Sequence, residues 1–465
     1  MNHSLVLAEN QHRRLHQHLH PGDGLESAAI ILCHHGRGKD QIRLIANHLI
    51  LVPADACERR TSSRLTWPFA DYLPPDKITE IDKNGLSVMT IHSHPSGMDR
   101  FSRIDNSNDR SLFHSIGNWF DDERPNGSAI MIPDGKIVAR LVALDGRFTP
   151  LRSVTAVGED IRIWTQPRKS PASLAAGLRI TQTFGKGTFN LLRNLRVGVV
   201  GCSGTGSIIS ELLARNCIGT LILADPDYVE EKNLNRILNA TKTDAKNKTP
   251  KASILKRSIA KMGTGVQVEA YQAHTSDKAL IKSLVSCDVI FGCVDSAEGR
   301  YHLECIASAY WLPYFDVGVN LETDLEGVIL QADAVAHYMH PKNTSLMSRG
   351  GYTSEQVTAE TWYRTNRKHY EAQRDAGYLA AVGEDQPAVM SVNMQAACMA
   401  FNDFLARLHG FRLDCNDDFA TQRFRLVHGH YSHTPSEDQS LSVFDPYSGM
   451  GDRSFLIRRL KNNVD

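Results

Sequence analysis

The segment from Met89 to Asp109, MTIHSHPSGMDRFSRIDNSND, sets two histidines one residue apart, ahead of a proline, a serine and an aspartate. On a strand, positions i and i+2 share a face, so the imidazoles of His92 and His94 can reach one ion. Asp105, brought back by a loop that Pro95 and Gly97 shape, can be the third ligand. Three protein ligands leave zinc one open position, the arrangement of a hydrolytic rather than a structural site. Zinc lowers the pKa of a water there to about 7. Hydrolysis also needs a general base and an oxyanion donor. Glu26, opening the apolar run ESAAIILC, is the candidate base, and Ser102 the candidate donor. The competing reading is a polar loop whose histidines are surface residues.

A second set lies in RVGVVGCSGTGSIISELLARNCIGTLILADPD, Arg196 to Asp227. An apolar strand (Val197 to Val200) runs into a turn containing Gly201, Gly204 and Gly206, then into an apolar-periodic helix (Ser207 to Asn216). A second strand follows and ends on Asp225, which makes a βαβ unit with a phosphate-binding turn. Ser203 stands where a dinucleotide fingerprint has its second glycine, and an NAD-dependent enzyme remains an alternative on this turn alone. Asn233, Arg236 and Lys251 follow, and Asp295 ends a later apolar run, CDVIFGCVDS. An acid at a strand end can take a ribose hydroxyl. The lysine and arginine are surplus for NAD but suit a triphosphate, and a further acid at a strand tip suits Mg2+.

These residues need elements to hold them. At 465 residues the chain predicts two domains. Strand-like runs Ser27–Cys33 and Gly85–His94, and a hairpin over Ser128–Leu144 turning at Asp134-Gly135, predict an α+β domain over residues 1–156. The stretch TQPRKSPASLAAG lies in an expected linker, 157–177, and residues 178–465 read as an α/β Rossmann-like domain. His12, His16, His18 and His20 have helical spacing and read as a solvated face, while His34 and His35 read as structural. FGKGTF lacks the spacing of a P-loop.

Lys+Arg and Asp+Glu are equal at 52 each, so no net field favours nucleic acid or an anionic membrane. No stretch approaches the ~18 apolar residues of a membrane span, and the N-terminus does not read as a secretory signal. Nine cysteines without a C-x-x-C pair fit reduced thiols, and the expectation is a soluble cytoplasmic protein.

His92-Ser-His94-Pro, with Ser102 and Asp105 downstream and Glu26 upstream, resembles the JAMM motif of the JAB/MPN metalloproteases. That resemblance implies a central sheet with flanking helices and a zinc (iso)peptidase acting at the C-terminus of ubiquitin-like proteins. It makes His92, His94 and Asp105 the ligands, Glu26 the base and Ser102 the oxyanion donor. The second set is similar to the adenylation domain of ThiF-type and ubiquitin-activating enzymes, over about Leu178 to Leu408. These form an acyl-adenylate on the C-terminal glycine of a small protein from Mg-ATP. By matching motif positions, Asp225 holds the ribose, Asn233, Arg236 and Lys251 the phosphates, and Asp295 the Mg2+. Arg179 matches an arginine that reaches the ATP of a partner protomer, which implies a homodimer.

The helix Gln386–Leu408 matches the closing helix of that family, and its Met390, Met394 and Met399 read as core. The zinc-binding C-x-x-C pairs common in ThiF-type proteins are missing, with Ser345 and Ser348 where the first pair is expected. No cysteine is an obvious thioester nucleophile: Cys217, Cys305 and Cys398 read as buried on helices, and Cys415 as exposed. The adenylate either passes directly to a partner thiol or acylates a hydroxyl such as Ser348. The expectation is a bifunctional enzyme of a bacterial ubiquitin-like system, with a conjugating enzyme as a further partner. The alternatives are processing and activation of a sulfur-carrier protein, and a non-catalytic scaffold.

Overall fold

Continuous apolar runs become the buried strands of two sheets, and the polar segments that carry the chemistry emerge at their ends. The computed structural model describes residues 3–120, 122–166, 175–324, 326–341, 344–379, 381–382, 387–436 and 444–462. The chain divides into two compact units, Met1–Gln166 with Gly449–Ser454, and Pro167–Ser448 with Phe455–Asp465.

The first unit opens with β1 (Ser4–Ala8), α1 (Glu9–Leu19), β2 (Ala28–Arg37) and β3 (Ile42–Leu51). A small ribbon, β4 (Arg59–Arg60) with β5 (Leu65–Thr66), and the helices α2 (Phe69–Tyr72) and α3 (Pro75–Lys83) follow. Next come β6 (Ser87–Ser93), α4 (Arg103–Gly117), β7 (Gly127–Met131), β8 (Ile137–Val142), β9 (Phe148–Pro150), β10 (Ser153–Val157) and β11 (Ile161–Thr165). Nine strands form one sheet in the order β11-β10-β1-β3-β2-β6-β7-β8-β9. The expected hairpin is present, with β7 antiparallel to β8 around Asp134-Gly135. Ile30, Leu32 and Val88 from β2 and β6 pack with Ile81 of α3 and with Phe113 and Ile116 of α4. That shared core fixes α4, and with it Asp105, against the strand that carries His92.

Two boundaries differ from expectation. Residues 161–165, placed in the linker by their sequence, form β11 and pair antiparallel with β10. Gly449–Ser454 belongs with the first unit: Asp452 Oδ2 accepts from the Arg37 N–H at 2.7 Å, and a Cβ on Gly451 would lie 2.4 Å from the His35 carbonyl. Neither segment has a period long enough to show its partner. Residues 167–174 of the expected linker lie outside the described residues.

The histidines of α1, and His20 at its C-cap, are not a solvated face. His12 Nε2 bonds the Gly135 carbonyl at 2.7 Å, His16 the Pro133 carbonyl at 2.8 Å, His18 the Ala28 carbonyl at 3.0 Å and His20 the Met131 carbonyl at 3.2 Å. Burial lowers the pKa of His12 and of His20, against the hydrogen bonds to the Gly135 and Met131 carbonyls, which pull the other way. Helical spacing puts the rings in a row, and the carbonyls at the end of β7 and in the hairpin turn face that row.

The second unit opens with α5 (Leu178–Asn194), which is broken at Gly185 where φ is +80°. It continues through β12 (Arg196–Val200), α6 (Gly204–Arg215), β13 (Thr220–Ala224), α7 (Lys242–Lys246), α8 (Lys251–Met262), β14 (Gln267–Tyr271) and α9 (Lys278–Leu284). Then come β15 (Val289–Gly292), α10 (Ala297–Tyr310), β16 (Tyr314–Thr323), β17 (Ile329–Met339), α11 (Ser354–Thr365), α12 (Arg367–Asp375) and α13 (Met390–His409). β18 (Thr421–Arg425), β19 (His430–Thr434) and α14 (Phe455–Asn462) complete it.

The eight strands run β14-β13-β12-β15-β16-β17-β18-β19. The first five are parallel and the rest pair antiparallel. Strand order reverses between β12 and β15, and ligands of open α/β sheets bind in the crevice beyond the strand ends at such a point. The glycine turn after β12 and Asp295 after β15 both emerge there.

On α13, Met399 is core at 6% exposure, but Met394 faces solvent at 40% and Cys398 is also exposed. The helix is covered on one side only, so apolar spacing there does not mean burial. Gln386 lies outside the described residues. No helix among the described residues is long and apolar enough to cross a membrane.

Candidate functional site

Register builds the first site. β2 and β6 are antiparallel with Ala28 opposite His92. One step outward, Ser27 N–H donates to Ser93 Oγ at 2.9 Å and Ser93 N–H to the Ser27 carbonyl at 3.0 Å. Glu26, the next residue, therefore comes abreast of His94. Its backbone is clamped by the ribbon: its N–H donates to the Thr61 carbonyl and Arg60 Nε to its own carbonyl, each at 2.9 Å. The Glu26 side chain is buried.

After β6 the chain turns, with Gly97 N–H donating to the His94 carbonyl and Gly97 at φ +78°. It then enters α4 through a capping box. Ser102 Oγ accepts from Asp105 N–H at 3.1 Å, and Asp105 Oδ2 accepts from Ser102 N–H at 2.6 Å. The serine expected as an oxyanion donor is therefore also the N-cap that sets Asp105. The cap uses Ser102 Oγ as an acceptor, which leaves its O–H free to donate elsewhere.

His92 Nε2 and His94 Nε2 lie 3.1 Å apart, and Asp105 Oδ1 and Oδ2 lie 3.4 Å from His92 and His94 respectively. Tetrahedral zinc with ligands near 2.0–2.1 Å spaces its donor atoms about 3.3 Å apart. The donor set fits that ion. His94 Nδ1 lies 2.8 Å from the Met98 carbonyl, so its proton sits on Nδ1 and Nε2 keeps its lone pair for a metal. Burial pushes the Glu26 carboxyl above the ordinary glutamate value, against the pull of His92 and His94. Burial opposes charge on Asp105 too, but hydrogen bonds from the two histidines outweigh it and hold that carboxyl well below its ordinary value.

The second site is built on backbone close approach. Gly201 has φ +90°, and a Cβ there would lie 2.3 Å from the Cys293 carbonyl. A Cβ on Gly206 would lie 1.7 Å from the Gly201 carbonyl. Glycine is the residue that permits β12, its turn and the end of β15 to pack this closely. Asp225 is buried at the end of β13, where its carboxylate accepts from Cys202 N–H at 2.6 Å and Asp227 N–H at 2.9 Å. It thus fixes the turn as well as standing where a ribose is expected.

Lys251, first residue of α8, places Nζ 2.8 Å from Asp227 Oδ2 and 3.8 Å from Asp225 Oδ1. Burial works against charge on Lys251, but Asp225 and Asp227 outweigh it and raise its pKa. Asp227 is the partner sequence reasoning missed, although it stands two residues past Asp225 in the same ADPD segment.

Asn233 is buried and its Oδ1 accepts from Glu230 N–H at 3.0 Å, capping its own turn. Arg236 is half-buried and donates to the Lys232 carbonyl and to Asn235 Oδ1. Asp295 is exposed beyond the end of β15, at the entry to α10. Lys251 and Asp225 are in contact, while the Arg236 bonds are local. Arg179 is exposed on α5 and pairs with Gln182 at 3.0 Å. Burial pushes the thiols of Cys202 and Cys293 up, so neither is a nucleophilic thiolate at neutral pH.

The serine pair forms a turn. Ser345 is buried and its Oγ accepts from Ser348 N–H at 3.0 Å, while the exposed Ser348 donates Oγ–H to the Ser345 carbonyl at 2.7 Å. Glu304 accepts from Leu346 N–H at 2.7 Å, and Arg349 donates to Thr344 Oγ1 and to the Tyr338 and Ala420 carbonyls. Side-chain bonds tie down the loop where the resemblance led to the expectation of a first C-x-x-C pair.

The model of the ThiF family matches residues 176–437, more than half of the chain. This chain belongs to the ThiF family. A second model, of prokaryotic homologues of the JAB domain, matches residues 8–141, so the ThiF domain is fused to an N-terminal JAB-type domain. The ThiF-family chain is 31% identical over 121 residues to ubiquitin-like modifier-activating enzyme 5 of Dictyostelium discoideum, covering 23% of this chain and 31% of that protein. It is 34% identical over 111 residues to adenylyltransferase and sulfurtransferase MOCS3 of Danio rerio, covering 24% of each. It is 29% identical over 118 residues to the sulfur carrier protein ThiS adenylyltransferase of Escherichia coli K12, covering 25% of this chain and 46% of that protein. The matches span less than half the length of each of these relatives. Among solved structures, E. coli MccB with ATP aligns over 58% of this chain and 73% of that chain, at 16% identity and a TM-score of 0.43.

Proposed function

We propose that this chain carries two activities: zinc-dependent hydrolysis of an isopeptide or peptide bond at the C-terminus of a ubiquitin-like protein, and Mg-ATP-dependent adenylation of the glycine carboxylate. What carries the reading is the convergence of side chains distant in sequence: His92, His94 and Asp105 beside Glu26 in one unit, and Asp225 with Lys251 under the glycine turn in the other.

In the peptidase half, His92, His94 and Asp105 would hold zinc, which supplies Lewis acidity to a water and a carbonyl when bound. Glu26 takes the proton of the attacking water and delivers it to the leaving amine. Its burial keeps its proton affinity above that of an ordinary glutamate, which suits a group that must both accept and release. Ser102 donates to the carbonyl oxygen as charge develops.

In the adenylating half, a carboxylate oxygen of the terminal glycine attacks the α-phosphorus of ATP. The bond from that phosphorus to the bridging oxygen breaks, and pyrophosphate leaves. Asp225 orients the ribose, Lys251 with Asn233 and Arg236 offsets phosphate charge, and Asp295 stands where Mg2+ is needed. The adenylate then passes to a partner thiol, with a conjugating enzyme as its acceptor. A homodimer through this domain, with Arg179 reaching the ATP of the partner protomer, completes the reading. The two halves act in series on a precursor: trimming exposes the carboxylate that adenylation consumes.

A second reading has support in the names of two relatives, one an adenylyltransferase and sulfurtransferase, the other an adenylyltransferase of the sulfur carrier protein ThiS. There sulfide from a separate sulfur donor attacks the acyl carbon of the adenylated glycine, AMP leaves, and a thiocarboxylate remains. The test is ATP–pyrophosphate exchange with two probes, a ubiquitin-like protein and a ThiS-type sulfur carrier, each ending in Gly-Gly. Exchange with one probe and not with its C-terminal amide supports adenylation and chooses between the readings. Exchange with neither contradicts both.

A further inference from the structure

The N-terminus of α6 gathers donors without an acceptor among the described residues. Ser203, its N-cap, makes no side-chain cap, and the first bond into the helix runs from Ser207 N–H to the Ser203 carbonyl. The N–H groups of Gly204, Thr205 and Gly206 therefore have no carbonyl within the helix to bond. Beside them, on α13, Asn393 is 3% exposed, and its Nδ2 is buried without a hydrogen-bond partner among the described residues. That amide lies over Gly204: a Cβ there would meet Asn393 Nδ2 at 2.3 Å and its Cγ at 2.8 Å. Gly204 thus lacks a side chain where the amide needs room. Buried donors left unpaired are costly, and the group that satisfies all of them at once is an oxyanion.

We propose that Asn393 is a nucleotide-binding residue whose Nδ2–H donates to a phosphate oxygen of ATP seated against the N-terminus of α6. The assignment rests on the adenylation reading. It places a phosphate donor on α13, nearly 190 positions from the glycine turn (393 − 204 = 189), and gives the approach of α13 to α6 a role beyond packing.

The test measures Mg-ATP affinity by calorimetry and adenosine affinity by ligand-observed NMR, on full-length wild type, Asn393→Ala and Asn393→Asp. The alanine variant is expected to bind ATP about ten-fold more weakly, with adenosine binding unchanged. Asn393→Asp keeps the size and the acceptor oxygen but removes the donor. It is expected to fold as wild type does and to lose ATP by more than the alanine variant, again sparing adenosine. If the alanine variant does not fold, the aspartate variant carries the test. ATP binding at wild-type strength in a folded variant, or equal loss of ATP and adenosine, overturns the assignment while leaving the adenylation reading intact. A wild-type chain that binds no ATP overturns the adenylation reading and this assignment with it.

Discussion

His20 and His94 meet at one carbonyl. The His94 N–H donates to the Met131 oxygen at 2.9 Å, and the His20 ring Nε2 bonds the same oxygen at 3.2 Å. Met131 ends β7, which runs parallel to β6 with His92 opposite Ile130. The ring of the residue that ends α1 as its C-cap is thereby tied to the backbone of a candidate metal ligand.

That tie gives His20 a positioning role. His20→Leu is expected to weaken zinc binding about ten-fold, in the range seen when outer partners of metal ligands are removed. His20→Gln, whose amide can donate to the Met131 oxygen, is expected to restore most of it. Competition with a chromophoric chelator gives the affinities. Equal zinc affinity in wild type and His20→Leu would sink the role.

Glu26→Gln keeps the shape of the site and removes the base. Peptidase turnover should fall by about 10²–10⁴ with bound zinc unchanged. Asp105→Asn removes a charged ligand and should lower zinc content itself. Metal analysis beside turnover separates the two, and a Glu26→Gln variant of undiminished rate would contradict the assignment.

Glu304 predicts a pH dependence of stability in the second unit. Burial pushes its carboxyl from 4.5 up to about 7, against the pull of hydrogen bonds from Tyr352 and Leu346. The folded state then holds a proton that the unfolded state has already released. Stability from this group is present below about 4.5, falls as pH rises toward about 7, and is flat above that. The span is on the order of 3 kcal/mol. Urea unfolding at about pH 5 and about pH 7.5 should show this loss in wild type and not in Glu304→Gln. Equal slopes in the two proteins would mean that Glu304 titrates as an ordinary carboxyl.

Ser348 supports a turn. Ser348→Ala removes one hydrogen bond and should cost about 0.5–1.5 kcal/mol of stability, with pyrophosphate exchange and acyl handover at wild-type rates. Intact exchange with abolished handover would instead identify an ester on Ser348.

Legibility followed locality. β12, the glycine turn, α6 and β13 lie within one continuous segment, and their apolar and glycine pattern was sufficient to place them. His92 lies on β6, His94 one residue past its end and Asp105 one short loop away, so close spacing along the chain brings the three side chains together. What stayed hidden depends on partners far along the chain. The His20 ring bonds a carbonyl 111 positions away, and no residue-type pattern marks a main-chain oxygen as a partner. Asp452 meets Arg37 only because the chain returns to the first unit. Nothing in the sequence marks Asn393; its side chain stands out only through the approach of α13 to Gly204. Met394 and Cys398 read as buried because apolar spacing does not say which side of α13 is covered.

The most direct measurement is the mass of a ubiquitin-like protein extended by a few residues past its final glycine, followed over time with the zinc-loaded chain and Mg-ATP. The expected record is loss of the extension, then gain of one AMP on the trimmed product. With Glu26→Gln the extended form should persist without AMP, while pre-trimmed protein is still adenylated. An extended form that stays intact with wild type, or trimmed protein that never gains AMP, would contradict the two-step reading.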